Sequence, residues 1–317
     1  MLTTAAVATV LRKGHLTMNN KINIAFLGGD RRQYCTASML NGEKYNISVW
    51  GLDFVENTSE HIRISDTVEE ALGGADCVVF PLPSTMDGIN LHTPQLRSGI
   101  KIRLSEILKG IEKGRTVIGG RIPTDFKEVA AEKGIRVVDY YESEAFQIEN
   151  AYLTAEAALS IAMNQLNRTI KESSFAILGY GRIAKHLAAL LRHFGAEVTV
   201  YARRQSELVW AESIGCKTKR IDTAKDKCFL GLLEGFDVIY NTIPVRILTS
   251  DILEEIGGKT FVIDLASVPG GVDICAARSL GSNVLWATSL PGKYSPESAG
   301  RLIAHSIEEA LSEEVEQ

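Results

Sequence analysis

Excess positive charge is missing from this chain, in which 34 lysines and arginines stand against 39 aspartates and glutamates for a net charge of -5. With no basic stripe either, nucleic acid is not an expected partner. Cysteine is scarce: Cys35, Cys77, Cys216, Cys228 and Cys275 are odd in number, scattered and mostly set in apolar runs. They read as buried free thiols in a reducing compartment and not as a disulfide framework. Neither they nor the six histidines fall at metal-ligand spacing, so no metal site is expected. No apolar run approaches the length of a membrane span, and Met1 to Leu11 lack a basic region ahead of their apolar part. Strand-like sequence begins only at Lys21-Ile22, with a second methionine at Met18, so residues 1–20 are expected to be a disordered or start-site extension. Also absent is an obvious His-Asp or Lys-based proton relay, and the catalytic acid or base stays unassigned. What is present is 317 residues, 45% apolar and 23% charged, enough for two domains.

The most informative stretch runs from Phe175 to Arg204. Apolar, strand-like residues lead into Gly179-Tyr180-Gly181-Arg182-Ile183, and small or apolar positions then recur at helical spacing through Ala184, Leu187, Leu190 and Leu191. A second strand-like run, Val198 to Tyr201, completes a βαβ unit. Gly179 would make the turn off the strand, and Gly181 would let the helix start approach a pyrophosphate. Ala184 takes the place of the usual third glycine. At the end of the second strand, where an NAD site generally carries a carboxylate, the chain reads Tyr201-Ala202-Arg203-Arg204. Two guanidiniums suit a 2′-phosphate, so NADP(H) is expected, with NAD(H) the weaker alternative; a solvated helix start is the plain competing reading.

Strands and helices alternate elsewhere as well. Ile22 to Leu27 leads into Gly28-Gly29-Asp30-Arg31-Arg32-Gln33, a second glycine turn in which Gly29, Arg31 and Arg32 would hold a carboxylate or phosphate. Asp76 to Pro83 has a counterpart in Asp237 to Pro244, and each reads as a strand carried to the sheet edge where ligands bind. Ser84 and Thr85 begin the polar loop after the first, with His92 further along, and are expected as neutral donors or a substrate wall. Asn241, Thr242, Ile243 and Pro244 would pass beside the nicotinamide ribose. Leu265 and Ala266 open a loop whose Gly270-Gly271 permits close backbone approach. Asp139 reads equally as an acid or base and as a helix cap. Asn150 and Thr154 would face a cleft, Glu156 solvent, and His186 packing more than catalysis.

The expected class is therefore α/β, with two doubly wound parallel-sheet domains joined by a long helix. Residues 21–143 form a flavodoxin-like N-terminal domain of about five strands, completed by a C-terminal helix over 296–315. Residues 144–170 form the connecting helix, and 171–295 form the Rossmann domain.

Taken together, Gly28 to Gln33, Gly179 to Arg182, Asn241 to Pro244, Asp264 to Gly271, Leu290 to Lys293 and Pro296 to Gly300 resemble the family of dipicolinate synthase A subunits of spore-forming bacteria, across residues 19–317. The fold is also similar to alanine dehydrogenases and 2-hydroxyacid dehydrogenases, whose substrates sit between two such domains. The resemblance implies oxidation of dihydrodipicolinate, derived from a 4-hydroxy-tetrahydro precursor, to dipicolinate with NADP, in the mother-cell cytoplasm during sporulation. It also implies that the partner is the flavoprotein-like B subunit of dipicolinate synthase; a homodimer is the plain expectation for such an enzyme. Gly29, Arg31, Arg32, Ser84 and Thr85 would then clamp the dianion. The competing readings are an amino-acid or 2-hydroxyacid dehydrogenase of the alanine dehydrogenase type, and a non-catalytic coenzyme-binding scaffold for the flavoprotein-like partner.

Overall fold

Short apolar strands separated by one-faced helices can bury both faces of a sheet only as a parallel layer between helices, and that arrangement is found twice. The computed structural model describes residues 21–53, 61–222 and 229–316; the expected extension over 1–20 and Cys228 lie outside them. Two compact units divide the chain, one running to Ser143 and resuming at Gly300, the other Glu144–Ala299.

The first unit contains β1 (Ile22–Leu27), α1 (Arg31–Met39), β2 (Tyr45–Trp50), β3 (Ile62–Ile64), α2 (Val68–Leu72), β4 (Cys77–Val79), α3 (Leu104–Gly110), β5 (Thr116–Gly119), α4 (Thr124–Glu132) and β6 (Arg136–Asp139). The strands are parallel in the order β3-β2-β1-β4-β5-β6. The sequence signals five of them. The sixth, β3, is three residues long with two exposed, so it carries no alternation to read. By pairing outside β2 it extends the flavodoxin order into 3-2-1-4-5-6. That order reverses direction between β1 and β4, which puts the loops after these two strands on either side of a crevice at the carboxyl edge.

The second unit opens with α5 (Glu144–Gln165), followed by β7 (Ser174–Leu178), α6 (Arg182–His193), β8 (Glu197–Ala202), α7 (Gln205–Ser213), β9 (Lys217–Arg220), β10 (Val238–Asn241), α8 (Ser250–Ile256), β11 (Phe261–Asp264), α9 (Ile274–Leu280), β12 (Val284–Trp286) and α10 (Leu290–Tyr294). Its parallel sheet, β12-β11-β10-β7-β8-β9, repeats the same doubly wound order, with the reversal between β7 and β10. The long helix α5 belongs to this unit. Its alanines at 155, 158 and 162 share one core with Leu187, Ala188 and Leu191 of α6, small side chains that let the two helices approach closely.

The last helix, α11 (Pro296–Glu316), returns to the first unit from Gly300 onwards. Gly300 has no room for a side chain: an added Cβ would lie 2.6 Å from Cys35 Cβ, and its carbonyl accepts from Thr36 Oγ1 at 3.1 Å. Among the described residues, no helix is long and apolar enough to cross a membrane, and no cluster of His, Cys, Asp or Glu could hold a metal ion. Of the cysteines expected to be buried, Cys77 and Cys216 are, whereas Cys275 is exposed and Cys35 half-buried.

Candidate coenzyme and substrate sites

In the second unit the carboxyl edge at β7 is shaped by two glycines with different jobs. Gly179 has φ +90, and its N–H donates to Tyr201 O at 2.8 Å; a Cβ there would meet Thr242 Oγ1 at 2.6 Å. The turn is therefore open only to glycine. Gly181 caps α6 with ordinary backbone angles and no side-chain cap, and a Cβ there would meet nothing within 4 Å. The start of this twelve-residue helix is thus open to approach at Gly181, with the positive end of the helix dipole behind it. These features fit a dinucleotide pyrophosphate, which the backbone from Gly179 to Ile183 could hold.

Several expected side chains point elsewhere. Tyr180 is in the core and its hydroxyl is pushed up to about 12 by burial. Only its backbone faces the turn. Tyr201 is likewise wholly buried, stacked edge-on to Phe229 and donating to Leu232 O at 2.6 Å, so its ring supports the sheet and does not touch coenzyme. Arg182 is exposed and paired with Glu144. At the end of β8, Arg203 is exposed, whereas Arg204 caps α7 and is paired with Glu207, with Nε to Oε1 at 3.0 Å. The carboxylate that sequence reading did not place there is therefore Glu207, and Arg203 is the less committed of the two arginines. His186 packs edge-on against Tyr152 at 5.5 Å, while Thr154 turns its hydroxyl back to Asn150 O.

The ends of β10 and β11 are joined by a buried polar network. Asn241 is completely buried: its Nδ2 donates to Ile243 O at 3.1 Å and Asp264 Oδ1 at 2.8 Å, and its Oδ1 accepts from Ile243 N at 3.1 Å. Asp264, 1% exposed, also accepts from Ala266 N at 3.1 Å and Gly271 N at 2.8 Å. Thr242 Oγ1 donates to Leu178 O at 2.8 Å. The side chains of Asn241 and Thr242, expected beside the ribose, are thus spent on bracing the edge. A Cβ on Gly271 would run into Asn241 Nδ2, which explains the second glycine of the pair. The N–H of Leu265 donates to Asn241 O at 2.8 Å, the Ala266 carbonyl accepts from Trp286 Nε1 at 3.1 Å, and Pro244 is exposed beyond them. Asp264 opens a segment singled out in the sequence but carries no assigned role there, because an Asp after Val262-Ile263 looks like any strand end.

In the first unit, Gly28 and Gly29 have φ +64 and +99, but the Gly29 N–H donates to His92 O at 2.9 Å. It therefore cannot serve as a substrate donor. Arg32 is buried, with Nε and Nη2 on Asp30 at 2.9 and 2.7 Å and Nη2 also on Leu82 O at 2.6 Å. Burial works to raise the Asp30 carboxyl, yet Arg32 outweighs it and holds the group below its usual range. Ser84 is fully buried and donates to Arg121 O at 3.0 Å, so it is not a free donor; Thr85 Oγ1 donates to Asp87 at 3.1 Å. Of the expected clamp, Arg31 at the start of α1 is the member left exposed with no ion pair among the described residues. His92 lies within the field of Asp30 and Arg32; burial holds its imidazole below the ordinary range, partly opposed by Asp30. Asp139 caps the turn after β6 and accepts from Arg121 N, Ile122 N and Tyr141 N at 2.9, 2.8 and 3.0 Å and from Lys127 Nζ at 3.0 Å.

Known proteins resemble this chain in both units. Residues 23–141 match the N-terminal domain of dipicolinate synthase A subunits, and residues 149–255 match the NAD binding domain of D-isomer specific 2-hydroxyacid dehydrogenases. The likeness to dipicolinate synthase A subunits runs through both units. The dipicolinate synthase A subunit of Bacillus subtilis (strain 168) is 28% identical over 92% of this chain and 96% of its own length. The crystal structure of the A subunit from Bacillus halodurans matches with TM-score 0.78 and 28% identity, covering 92% of this chain and 97% of that one. D-lactate dehydrogenase from Escherichia coli shares the fold, at TM-score 0.55 and 13% identity over 92% of this chain and 97% of its own. The protein is an NAD(P)-dependent oxidoreductase with a Rossmann nicotinamide-coenzyme domain.

Proposed function

We propose that this chain oxidises dihydrodipicolinate to dipicolinate with NADP as the coenzyme, being the A subunit of a synthase completed by a flavoprotein-like B subunit in the cytoplasm of a spore-forming cell. The observation that carries the coenzyme half is the exposed Arg203 at the end of β8, next to the open cap at Gly181. When bound, the nicotinamide would accept a hydride from the dihydropyridine ring, whose second hydrogen leaves as a proton to water; aromatisation of that ring supplies much of the driving force, so the protein's work is alignment. The backbone from Gly179 to Ile183 would hold the pyrophosphate, and Arg203 the 2′-phosphate through a charge-assisted contact. The rigid Asp264 network would fix the loop that borders the nicotinamide. On the substrate side Arg31 would take a carboxylate, while Asp30, which caps α1 at Arg32 N and pairs with the Arg32 guanidinium, shapes the turn that presents it.

The test is to follow dipicolinate absorbance with enzymatically generated precursor and NADP, for the purified chain alone and with its flavoprotein-like partner. Arg203→Ala should shift the NADPH-over-NADH preference by roughly ten- to a hundredfold towards NADH, the loss of one charge-assisted pair. No dipicolinate in either assay would sink the substrate reading, and an unchanged coenzyme preference would sink the role of Arg203.

A further inference from the structure

The loop after β5, Gly120-Arg121-Ile122-Pro123, contains an arginine where the backbone calls for glycine. Arg121 has φ +57, and an L side chain is strained there. The strain is imposed from both sides. The N–H groups of Arg121 and Ile122 donate one to each oxygen of Asp139, whose side chain is 4% exposed and anchored further by Lys127. The Arg121 carbonyl in turn accepts from the fully buried Ser84. Asp139 and Ser84 thus grip the backbone of one residue and force its side chain outward.

That side chain is exposed, with its guanidinium 5.5 Å from the centre of the Tyr141 ring. Among the described residues no carboxylate pairs with it, in contrast to its cationic neighbours. Arg32 is spent on Asp30, and Lys127 on Asp139 and Glu142. The loop stands at the carboxyl edge, one strand beyond the β1/β4 reversal; strands two apart are separated by about 10 Å. Arg31 begins the helix after β1, and Arg121 follows β5. Two uncommitted guanidiniums therefore belong to segments at the same carboxyl edge, following strands about 10 Å apart.

We propose that Arg121 is a carboxylate-binding residue of the substrate site, taking one carboxylate of the pyridine dicarboxylate while Arg31 takes the other. This rests on the dicarboxylate reading of the substrate. Arginine at φ +57 costs stability that glycine would not, and the face-on Tyr141 ring limits the rotamers of its guanidinium. The fold holds the residue at a strained position and leaves its charge unneutralised, the opposite of what it does with Arg32.

The geometry supplies its own control, because Arg121→Gly relieves the backbone while deleting the charge. Binding of dipicolinate and of picolinate, which has a single carboxylate, is measured calorimetrically on the full chain with NADP present, beside thermal melts. The expected result for Arg121→Gly is a Tm equal to or about 2–4 °C above that of the parent. Dipicolinate binding should weaken roughly ten- to a hundredfold. Picolinate affinity should change much less, so discrimination between the two ligands shrinks, and Arg121→Lys should restore part of it. Unchanged dipicolinate affinity in Arg121→Gly overturns the assignment. A parent chain that binds NADP but not dipicolinate overturns the dicarboxylate reading itself, and Arg121 with it.

Discussion

Asp264→Ala tests whether the edge of the second sheet is held by one buried carboxylate. Asp264 is 1% exposed and accepts from Asn241 Nδ2, Ala266 N and Gly271 N. In the alanine variant Asn241 keeps its bond to Ile243 O, but the N–H groups of Ala266 and Gly271 lose their acceptor inside the protein. Each such orphan costs about 1–3 kcal/mol, and removing the buried charge returns part of its desolvation cost, so a net loss of about 3–5 kcal/mol is expected. For a unit of this size that is a fall in Tm of about 10 °C. Asp264→Asn should lose roughly half as much, because its oxygen can take the two-donor position while its amide opposes Gly271 N–H. Thermal melts give the stability, and amide exchange at Ala266 and Gly271 reports the loop directly. NADP affinity should fall in parallel as the loop loosens. If the alanine variant melts within about 2 °C of the parent and both amides stay protected, the carboxylate is not what holds the loop and the reasoning fails.

The two glycines of the coenzyme turn should separate stability from binding. Gly181→Ala has open space and an ordinary φ, so it should leave Tm within a degree or two while weakening NADP binding tenfold or more by filling the approach to the helix start. Gly179→Ala, forced to φ +90 and against Thr242 Oγ1, should instead destabilise the unit by about 2 kcal/mol, measured by urea unfolding. His92 predicts a pH effect. Its folded pKa lies below the unfolded value near 6.5, so the unfolded chain binds the extra proton first, and stability present above about pH 6.5 is lost as pH falls through the folded value. Unfolding free energies between pH 5 and 8 should show that slope, and His92→Phe should flatten it; an equal slope in both proteins refutes the assignment to His92.

The doubly wound class and the glycine turn at Gly179 were legible because they rest on local pattern: apolar strands, helical periodicity and glycines where the chain must turn. The short strand β3 was not, since it pairs by position at an edge and not by alternation. The site was legible as a set of loops and much less as a set of side chains. Gly29, Ser84, Asn241 and Tyr201 lie in the segments expected, yet each spends its polar group on the protein's own backbone. Sequence shows which polar residues stand at a sheet edge; whether they face outward depends on partners such as Asp264 and Arg121, 23 residues from Asn241 and 37 from Ser84 in the chain.

Both units solve the same problem with the same device. At the end of β6 and again at the end of β11, an aspartate is buried at the sheet edge and collects the N–H groups of neighbouring loops: Arg121, Ile122 and Tyr141 for Asp139, Ala266 and Gly271 for Asp264. Both oxygens of each carboxylate are taken up by the protein's own donors. These acids are therefore scaffolding, and the proton-relay role considered for Asp139 does not fit its surroundings. The fixed loops in turn carry the groups left outward: Arg121 in the first unit, and the glycine-lined backbone of Ala266–Gly271 in the second. For the proposed oxidation, whose driving force would come from aromatisation, rigid presentation of anion-binding groups is the larger requirement, and it is the one to which both sheets commit their buried charge.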